Sequence, residues 1–501
     1  MRTVRRAFTA ITSPDFTSLP VQCCRWRVGV QYHGGRRRIV GFLPQLKSWA
    51  SASLFCEAYV RLSDGRHDDG VAAANHGSDG RPGGRDVNRN DRRITGYAMV
   101  GHAMVHTYEL AVPILVTVWL AEFSATAATL GAAVSVGYAL FGAGAIPGGL
   151  LADRFGSRRL IAGCLFGMGL SFALLSVAGG VVGVVVALGA WGLAASVYHP
   201  AGLALISNGV ERRGAAFAYH GMAGNVGIAG GPFLTALLLV PFGWRTAVAV
   251  LAVPGLVAAV AGSRVDFDET AAVDAATDGG DAPTMEVSSP RDFLAASRGL
   301  FTAGFLVVFG IVLFNGLYYR AALTFLPELL GEFLAPLVEA ASLGPLAGGP
   351  AAAELDLSRY LFTGLLVVGI AGQYVGGRLT DAVEPERGLA AAVAVLVVVA
   401  LLFVPAAGAA WSLLLASAAL GFALFGLQPL SQATIAAYSP PDRRGLSFGY
   451  TYLAIFGVGA LGASLAGAVL TYASPAAVFP LLAGLGAVSL TLALVLVFRV
   501  E

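Results

Sequence analysis

Apolar runs of membrane-spanning length recur along most of this chain. From Tyr97 onward, mostly apolar stretches alternate with short polar breaks, and runs of about 20 such residues can cross roughly 30 Å of hydrocarbon. The chain is 56% hydrophobic and 12% charged, whereas a soluble domain carries about 25% charged residues. The pattern excludes a water-soluble globular fold and predicts an all-α, polytopic membrane protein.

The polar breaks divide the apolar material into twelve predicted spans. If both termini are cytoplasmic, the outer loops keep only Arg245 and Arg359, and the other loop arginines lie inside. Positive residues concentrate in cytoplasmic loops, so we expect a multi-pass protein of the cytoplasmic membrane with both termini in the cytoplasm. The predicted spans are 97–121, 127–151, 159–178, 181–206, 214–240, 244–263, 300–326, 358–379, 388–405, 409–436, 446–471 and 476–498.

Three short motifs of the first six spans return in the same order in the last six. The displacement between copies drifts only from 228 to 231 residues, as a duplication with small insertions would leave. We therefore predict two pseudo-symmetric six-helix bundles, 96–263 and 300–501, joined by a polar cytoplasmic linker over 264–299. The paired motifs are Gly149-x-Leu151-x-Asp153 with Gly377-x-Leu379-x-Asp381, His199-Pro200 with Gln428-Pro429, and Arg212-Arg213-Gly214 with Arg443-Arg444-Gly445.

Residues 1–95 differ from the rest of the chain. They hold 16 Lys and Arg against 8 Asp and Glu, and no apolar run of spanning length. We expect a disordered basic extension. A basic arm that binds anionic lipid or nucleic acid is the alternative, but we expect no nucleic-acid partner. Three of the four cysteines lie in this segment and Cys164 lies in an apolar run, which favours neither a disulfide framework nor a metal cluster.

The segment after the second span resembles the signature loop of the major facilitator superfamily. It reads Gly149-Leu-Leu-Ala-Asp153-Arg154-Phe-Gly156-Ser-Arg158-Arg159, and the resemblance extends over about 97–501. It implies transport by alternating access. Within that superfamily the chain is similar to exporters of the fosmidomycin-resistance type, through Gly101-His102, His106-Thr-Tyr108-Glu109, Tyr198-His199-Pro200-Ala201-Gly202 and Thr324-Phe325-Leu326-Pro327.

The resemblance also implies a latch that closes the cytoplasmic face. Asp153 would face the start of span 11 near Gly445, and Asp381 the start of span 5 near Gly214. A carboxylate can meet the positive end of a helix there, and arginines can add charge-assisted hydrogen bonds. The alternative is that these charges only anchor loops inside. The latch candidates are Gly149, Asp153, Arg154, Gly156, Arg158, Arg159, Gly377, Asp381, Arg212, Arg213, Arg443 and Arg444.

Ionisable residues within the spans need a partner or a wet cavity, because a charge at the bilayer centre costs roughly 2.5 to 3.5 kcal/mol. His102, His106 and Glu109 lie one turn apart on one stripe of the first span. The pseudo-repeat sets Glu109 opposite Arg320. We predict a charge pair across the two halves, with Glu109, His106 and Arg320 as proton-coupling candidates. The alternative for Arg320 is a side chain that extends to the outer headgroups.

Other polar residues in the spans are candidates for the wall of a central cavity. Pro200 opens the helix around His199 because it lacks a backbone donor, and Gln428 occupies the equivalent position in the second half. His220 and Gln373 are expected to form interhelical hydrogen bonds, an alternative that also applies to Asn225 and Asn315. The cavity candidates are His102, Tyr108, His199, Asn225, Asn315, Tyr319 and Gln428.

These features predict a secondary active transporter of a small organic solute, coupled to protons. Export by antiport is the first expectation, and the glycine-rich run Gly227-x-x-x-Gly231-Pro232 resembles the antiporter signature of drug exporters. Proton-coupled uptake is the alternative, and a membrane-embedded sensor or enzyme is a third reading. The superfamily's frequent arginine in the fourth span is missing from 188–195. No phosphate-binding loop or metal-ligand spacing is present, so we expect a non-enzyme without cofactor or metal, acting as a monomer.

Overall fold

The computed structural model describes residues 30–33, 36–39, 83–274, 290–340, 356–440 and 444–499. Within them, twelve helices are long and apolar enough to cross a membrane, which confirms the predicted all-α fold. Span 7 continues past Pro327 to Ala340, beyond its predicted end. The spans are formed by Gly83–Glu122, Ala127–Ala143 with Ala145–Phe155, Ser157–Ser176, Val181–Ser196 with Tyr198–Gly209, Arg213–Leu239, Trp244–Arg264, Ala303–Ala340, Leu357–Leu379, Pro385–Ala406, Ala410–Ala437, Arg444–Tyr452 with Leu461–Tyr472, and Val478–Arg499.

The segment before the first span contains regular structure that its composition did not predict. Val30–His33 and Arg36–Ile39 pair as an antiparallel two-stranded ribbon. The helix of span 1 begins at Gly83. These residues have regular backbone structure, whereas the sequence predicts a disordered extension over 1–95, and the other residues of 1–82 lie outside the described ranges.

Side-chain hydrogen bonds explain why the first helix begins so early. The amide of Asn90 donates to the carbonyl oxygens of Gly209 at 3.1 Å and Asp268 at 3.0 Å. The carboxylate of Asp91 accepts from the backbone N–H groups of Glu211 and Arg212. Asn90 and Asp91, whose polarity is typical of a solvated segment, thus connect the start of span 1 to the loop after span 4 and to the linker.

Two spans of the first half are interrupted within their length. Span 2 breaks at Gly144 and span 4 at Val197. Each break lies three residues before a proline, Pro147 or Pro200, which cannot donate a hydrogen bond to the preceding turn. The kink predicted at Pro200 is confirmed.

The two halves share one packing scheme. In the first half span 1 packs on span 5, span 2 on span 4, and span 3 on span 6; in the second half span 7 packs on span 11, span 8 on span 10, and span 9 on span 12. Each span of the first half and the span six places later in the chain therefore pack on equivalent partners, as expected for a duplicated bundle. Between the halves, span 1 contacts span 7, span 2 contacts span 11, and span 5 contacts span 8.

Glycines let spans 1 and 5 approach backbone to backbone. A side chain at Gly227 would collide with the carbonyl oxygen of Ala103, and one at Gly231 with that of Thr107. Small residues at an interface permit such close packing in a membrane. The glycine run of span 5 thereby fixes how the face of span 1 that carries the ionisable residues is oriented.

Gly227→Ala is therefore expected to destabilise the fold by roughly 1 to 3 kcal/mol, the usual cost of overpacking. Gly230→Ala is the matched control, because a Cβ there meets nothing within 4 Å and alanine favours a helix by about 1 kcal/mol over glycine. Thermal unfolding in detergent measures both. Equal destabilisation by the two variants would contradict the packing argument.

Candidate functional site

A cavity of about 470 Å³ lies between the two halves. Spans 1, 4 and 5 form one wall, and spans 7, 8, 10 and 11 form the other. The cavity runs from Glu109, near the middle of span 1, to Phe217 at the start of span 5 and Phe448 at the start of span 11. These two residues lie on the side of the linker, which we call the linker face. The cavity therefore extends toward that face.

At the opposite side, which we call the far face, the two halves are in direct contact. Arg359 Nη2 donates to Thr117 Oγ1 at 3.2 Å, joining the start of span 8 to span 1. The backbone N–H of Ala128 donates to Thr471 Oγ1 at 2.9 Å, joining the start of span 2 to the end of span 11. These contacts close the far face.

A buried ion pair joins the halves at the inner end of the cavity. Arg320 Nη2 of span 7 donates to Glu109 Oε1 of span 1 at 2.6 Å, and the two side chains are 2% and 1% exposed. The contact expected from the pseudo-repeat is present. The alternative in which Arg320 extends to lipid headgroups is wrong. Removing one partner of such a pair leaves an uncompensated buried charge.

Aromatic rings enclose the Arg320 guanidinium. Its Cζ lies 3.6 Å from the ring centroid of Tyr138 and 5.5 Å from that of Phe456. The Tyr138 hydroxyl donates to the backbone oxygen of Glu109 at 3.1 Å. Phe456 belongs to a π-helical turn, Leu453–Val458, within span 11. Both halves therefore contribute to a desolvated site for the cation, where cation–π contacts are strongest.

A series of histidines continues from the ion pair along the cavity wall. His106 Nδ1 lies 2.6 Å from Glu109 Oε2, and His106 Nε2 lies 3.1 Å from His102 Nε2. His102 Nδ1 lies 2.7 Å from the backbone oxygen of His220, and the two rings stack with centroids 3.8 Å apart. His220 Nε2 in turn lies 3.2 Å from the hydroxyl of Tyr198. A series of neighbouring imidazoles thus leads from the carboxylate to span 5.

Comparison with known proteins decides the family. The family model described as Major Facilitator Superfamily matches residues 99–353 and 329–501. The chain belongs to the major facilitator superfamily. The resemblance of the signature segment to this superfamily predicts such an architecture, with two bundles, a polar linker and a central cavity.

Named relatives within and around the superfamily cover different shares of the chain. A Multidrug resistance protein B homolog from Mycobacterium tuberculosis is 30% identical over 156 residues, which is 30% of this chain and 29% of that relative. The nucleoside transporter NupG superposes with a TM-score of 0.66 at 11% identity, over 81% of this chain and 100% of that structure. A bacterial homolog of the human lysosomal transporter Spinster, in an inward-facing and unoccupied conformation, superposes with a TM-score of 0.56 at 14% identity, over 81% and 95%. The solved structures support the fold alone.

Most of the predicted cavity residues line the cavity of this superfamily member. They contribute imidazole, amide and phenol groups from both halves, and their roles in binding stay predictions. They are His102, His199, Asn225, Asn315, Tyr319 and Gln428.

The prediction for Tyr108 is wrong. Its hydroxyl donates to the backbone oxygen of Leu251 at 3.0 Å, and its ring packs against Phe172 with centroids 4.4 Å apart. Tyr108 is fully buried in the core of the first half. Adjacent residues of a helix point about 100° apart, so Glu109 faces the cavity while Tyr108 faces spans 3 and 6.

Two residues assigned only to interhelical contacts also line the cavity. His220 belongs to the histidine series, and Gln373 Nε2 donates to Gln428 Oε1 at 3.4 Å. Helical periodicity could have placed His220 near span 1. His220 lies one turn before Gly224, on the face of span 5 whose glycines pack on span 1. Gln373 has no counterpart in the first half that could have indicated it.

The described part of the superfamily signature segment contacts the linker. Arg158 Nη1 donates to the carbonyl oxygen of Val265 at 3.0 Å and lies 3.3 Å from Asp266 Oδ1. Glu269 Oε2 accepts from the backbone N–H of Ser157 at 2.7 Å, at the N-terminus of span 3. A carboxylate there is stabilised by the helix dipole. An acidic linker therefore binds the signature arginine on the first half.

Part of the latch lies outside the described residues. Arg443 and the side chains of Asp153 and Arg444 are not described. The helix Ala145–Phe155 contacts the helix Arg444–Tyr452, and Asp381 is exposed after span 8. A latch formed by Asp153 and Asp381 stays a prediction.

Proposed function

We propose that this chain exports a small organic solute across the cytoplasmic membrane by alternating access, in exchange for protons. The observation that carries the proposal is the Glu109–Arg320 ion pair, 2.6 Å long and buried where the two halves meet. The pair lies at the inner end of a cavity lined by both halves. A change of charge at this point therefore acts on the contact between the halves.

The direction of opening supports solute entry from the cytoplasm. The cavity reaches Phe217 and Phe448 at the linker face, and contacts such as Arg359 to Thr117 close the far face. Most loop arginines lie at the linker face, which the positive-inside rule assigns to the cytoplasm. In this conformation the binding cavity is open to cytoplasmic solute.

Protonation of Glu109 supplies the coupling. A neutral carboxyl no longer attracts Arg320, so the contact across the halves weakens and the conformational equilibrium shifts. His106 lies against Glu109 and His102 lies against His106, so side chains that can exchange protons lie between Glu109 and the cavity wall. Solute and proton then occupy one cavity in alternation.

Two features favour export. The 30% identical segment belongs to a relative named as a multidrug resistance protein, and span 5 carries the glycine-rich run that resembles the antiporter signature. Uptake by symport would use the same ion pair and cavity. The direction of the pH gradient that drives accumulation of the solute therefore distinguishes export from uptake.

Transport into proteoliposomes under an imposed pH gradient tests the proposal. A thermal-shift screen first supplies a solute that stabilises the protein, since a ligand of the native state raises stability by linkage. Antiport predicts accumulation of that solute in vesicles with an acidic lumen. Symport predicts accumulation with an acidic exterior and would overturn export, and equal uptake under both gradients would overturn proton coupling.

A further inference from the structure

Ring nitrogens of three histidines lie close together in the cavity. His102 and His106 lie one turn apart on span 1, and His199 joins them from span 4, just after the helix break. One ring nitrogen from each lies within 4.8 Å of the other two. The Nε2 atoms of His102 and His106 are 3.1 Å apart.

Hydrogen bonds on the outer nitrogens fix which atoms carry lone pairs. His102 Nδ1 lies 2.7 Å from the backbone oxygen of His220, which can only accept, so the proton is on Nδ1. His106 Nδ1 lies 2.6 Å from Glu109 Oε2, and the other oxygen of this carboxylate accepts from Arg320. With Glu109 ionised, His106 also holds its proton on Nδ1. In neutral imidazoles both Nε2 atoms then present lone pairs.

Two lone pairs 3.1 Å apart repel unless a proton or a metal ion lies between or beside them. Zn–N bonds of about 2.0 to 2.1 Å in tetrahedral geometry place ligand nitrogens roughly 3.3 Å apart, close to the spacing observed. Metal-bound histidines commonly donate their other N–H to a carbonyl or carboxylate, which orients the ring. The outer nitrogen of His102 contacts a backbone carbonyl, and that of His106 contacts a carboxylate.

We propose that His102, His106 and His199 form a binding site for a divalent transition-metal ion of the zinc class. Imidazole ligands suit Zn²⁺, Ni²⁺ and Cu²⁺ and disfavour Mg²⁺ and Ca²⁺. Three histidines leave a fourth position for water or a solute oxygen, and it faces the cavity that all three residues line. The three nitrogens, which lie within 4.8 Å of one another, have to draw closer to reach bonding distance from one ion. The site goes beyond the proposed function, and its test measures metal binding without transport.

The sequence alone predicts no metal site, because the three histidines come from two spans. A metal motif is recognised by ligands at short, fixed spacing, and two whole spans lie between the pair on span 1 and His199 on span 4. The fold brings the third imidazole to the pair, with ring centroids 5.3 Å from His102 and 5.6 Å from His106.

Isothermal titration of the full chain with Zn²⁺ tests the site. The parent protein is purified without a histidine tag and carries His33, His67 and His76 as Gln and Cys23, Cys24 and Cys56 as Ser, so that ligands before span 1 do not contribute. We expect about one ion per chain. His102→Gln, His106→Gln and His199→Gln are each expected to weaken binding by roughly 100-fold, and Glu109→Gln, which removes an outer hydrogen bond, by about tenfold.

Glu122→Gln is the matched control. Glu122 lies on the same helix as His102 and His106 but at the far face, where it pairs with the exposed Arg245. Affinity within about twofold of the parent supports the assignment. Absence of saturable binding in the parent, or unchanged affinity in the three ligand variants, would overturn it.

A spectroscopic measurement on the parent protein covers the case in which a ligand variant does not fold. Co²⁺ replaces Zn²⁺ and absorbs strongly when it has four ligands and weakly when it has six, as in water. Strong ligand-field absorption that one equivalent of Zn²⁺ removes supports the site. The weak spectrum of aqueous Co²⁺ in the presence of folded parent protein would overturn it.

Discussion

Glu109→Gln is expected to abolish transport driven by a pH gradient. The substitution also leaves the buried Arg320 cation uncompensated, so flux is compared on protein that is shown to be folded and inserted. The substitution keeps the size of the side chain but removes the charge that faces Arg320 at 2.6 Å. A permanently neutral group cannot exchange a proton, so the gradient no longer acts on the contact between the halves. We expect a loss of roughly 100-fold or more in gradient-driven flux, the scale at which acid–base groups contribute. Solute flux in proteoliposomes at matched protein content measures the change.

Glu122→Gln supplies the matched control on the same helix. Glu122 ends span 1 at the far face, where Oε1 lies 2.7 Å from Arg245 Nη1 and both side chains are exposed. Exposed pairs contribute about 0 to 1 kcal/mol. Flux of Glu122→Gln should stay within about twofold of the parent. Normal coupling in Glu109→Gln would show that the proton binds elsewhere.

Arg320→Gln is expected to destabilise the protein more than removal of both charges together. The single substitution leaves the Glu109 carboxylate 1% exposed with no cation beside it, and breaking a buried pair in this way costs about 3 to 5 kcal/mol. Glu109→Gln with Arg320→Gln leaves no uncompensated charge at the site and should recover most of the loss. Unfolding in detergent, taken through the full double-mutant cycle, gives the coupling energy.

A double variant as unstable as Arg320→Gln alone would contradict this account. That result would mean that the aromatic contacts of Arg320, such as its position over the Tyr138 ring, stabilise the fold and that the ion pair adds little. Arg320→Lys separates the two contributions further, because it keeps the charge and loses the planar stack.

The sequence was sufficient for the architecture and for the ion pair. Apolar length and arginine placement predict twelve spans, and repeated motifs predict the two bundles, because lipid imposes one rule on every span. Glu109 and Arg320 were identifiable for the same reason, since an isolated charge is costly in hydrocarbon. The spans depend on composition along one helix at a time, and the bundles and the ion pair depend on the alignment of the two halves.

Features that depend on contacts between distant segments could not be predicted from the sequence. The gathering of His102, His106 and His199 requires the packing of span 4 against span 1. The early start of the first helix depends on Asn90 and Asp91 finding backbone partners in the linker and the loop after span 4. Tyr108 was assigned to the wrong face because a polar hydroxyl was taken as a sign of the cavity, when a single backbone oxygen satisfies it.

The distance between labels at both ends of the cavity tests the central claim most directly. In a chain without native cysteines, spin labels go to exposed positions on opposite halves: Phe155 and Val383 at the linker face, and Phe242 and Tyr472 at the far face. When pH is lowered, the account predicts that the far-face distance lengthens while the linker-face distance shortens, and that Glu109→Gln makes both distances independent of pH. Distances that change in the same sense, or that respond to pH equally in Glu109→Gln, would contradict rocking of the two halves about the buried pair.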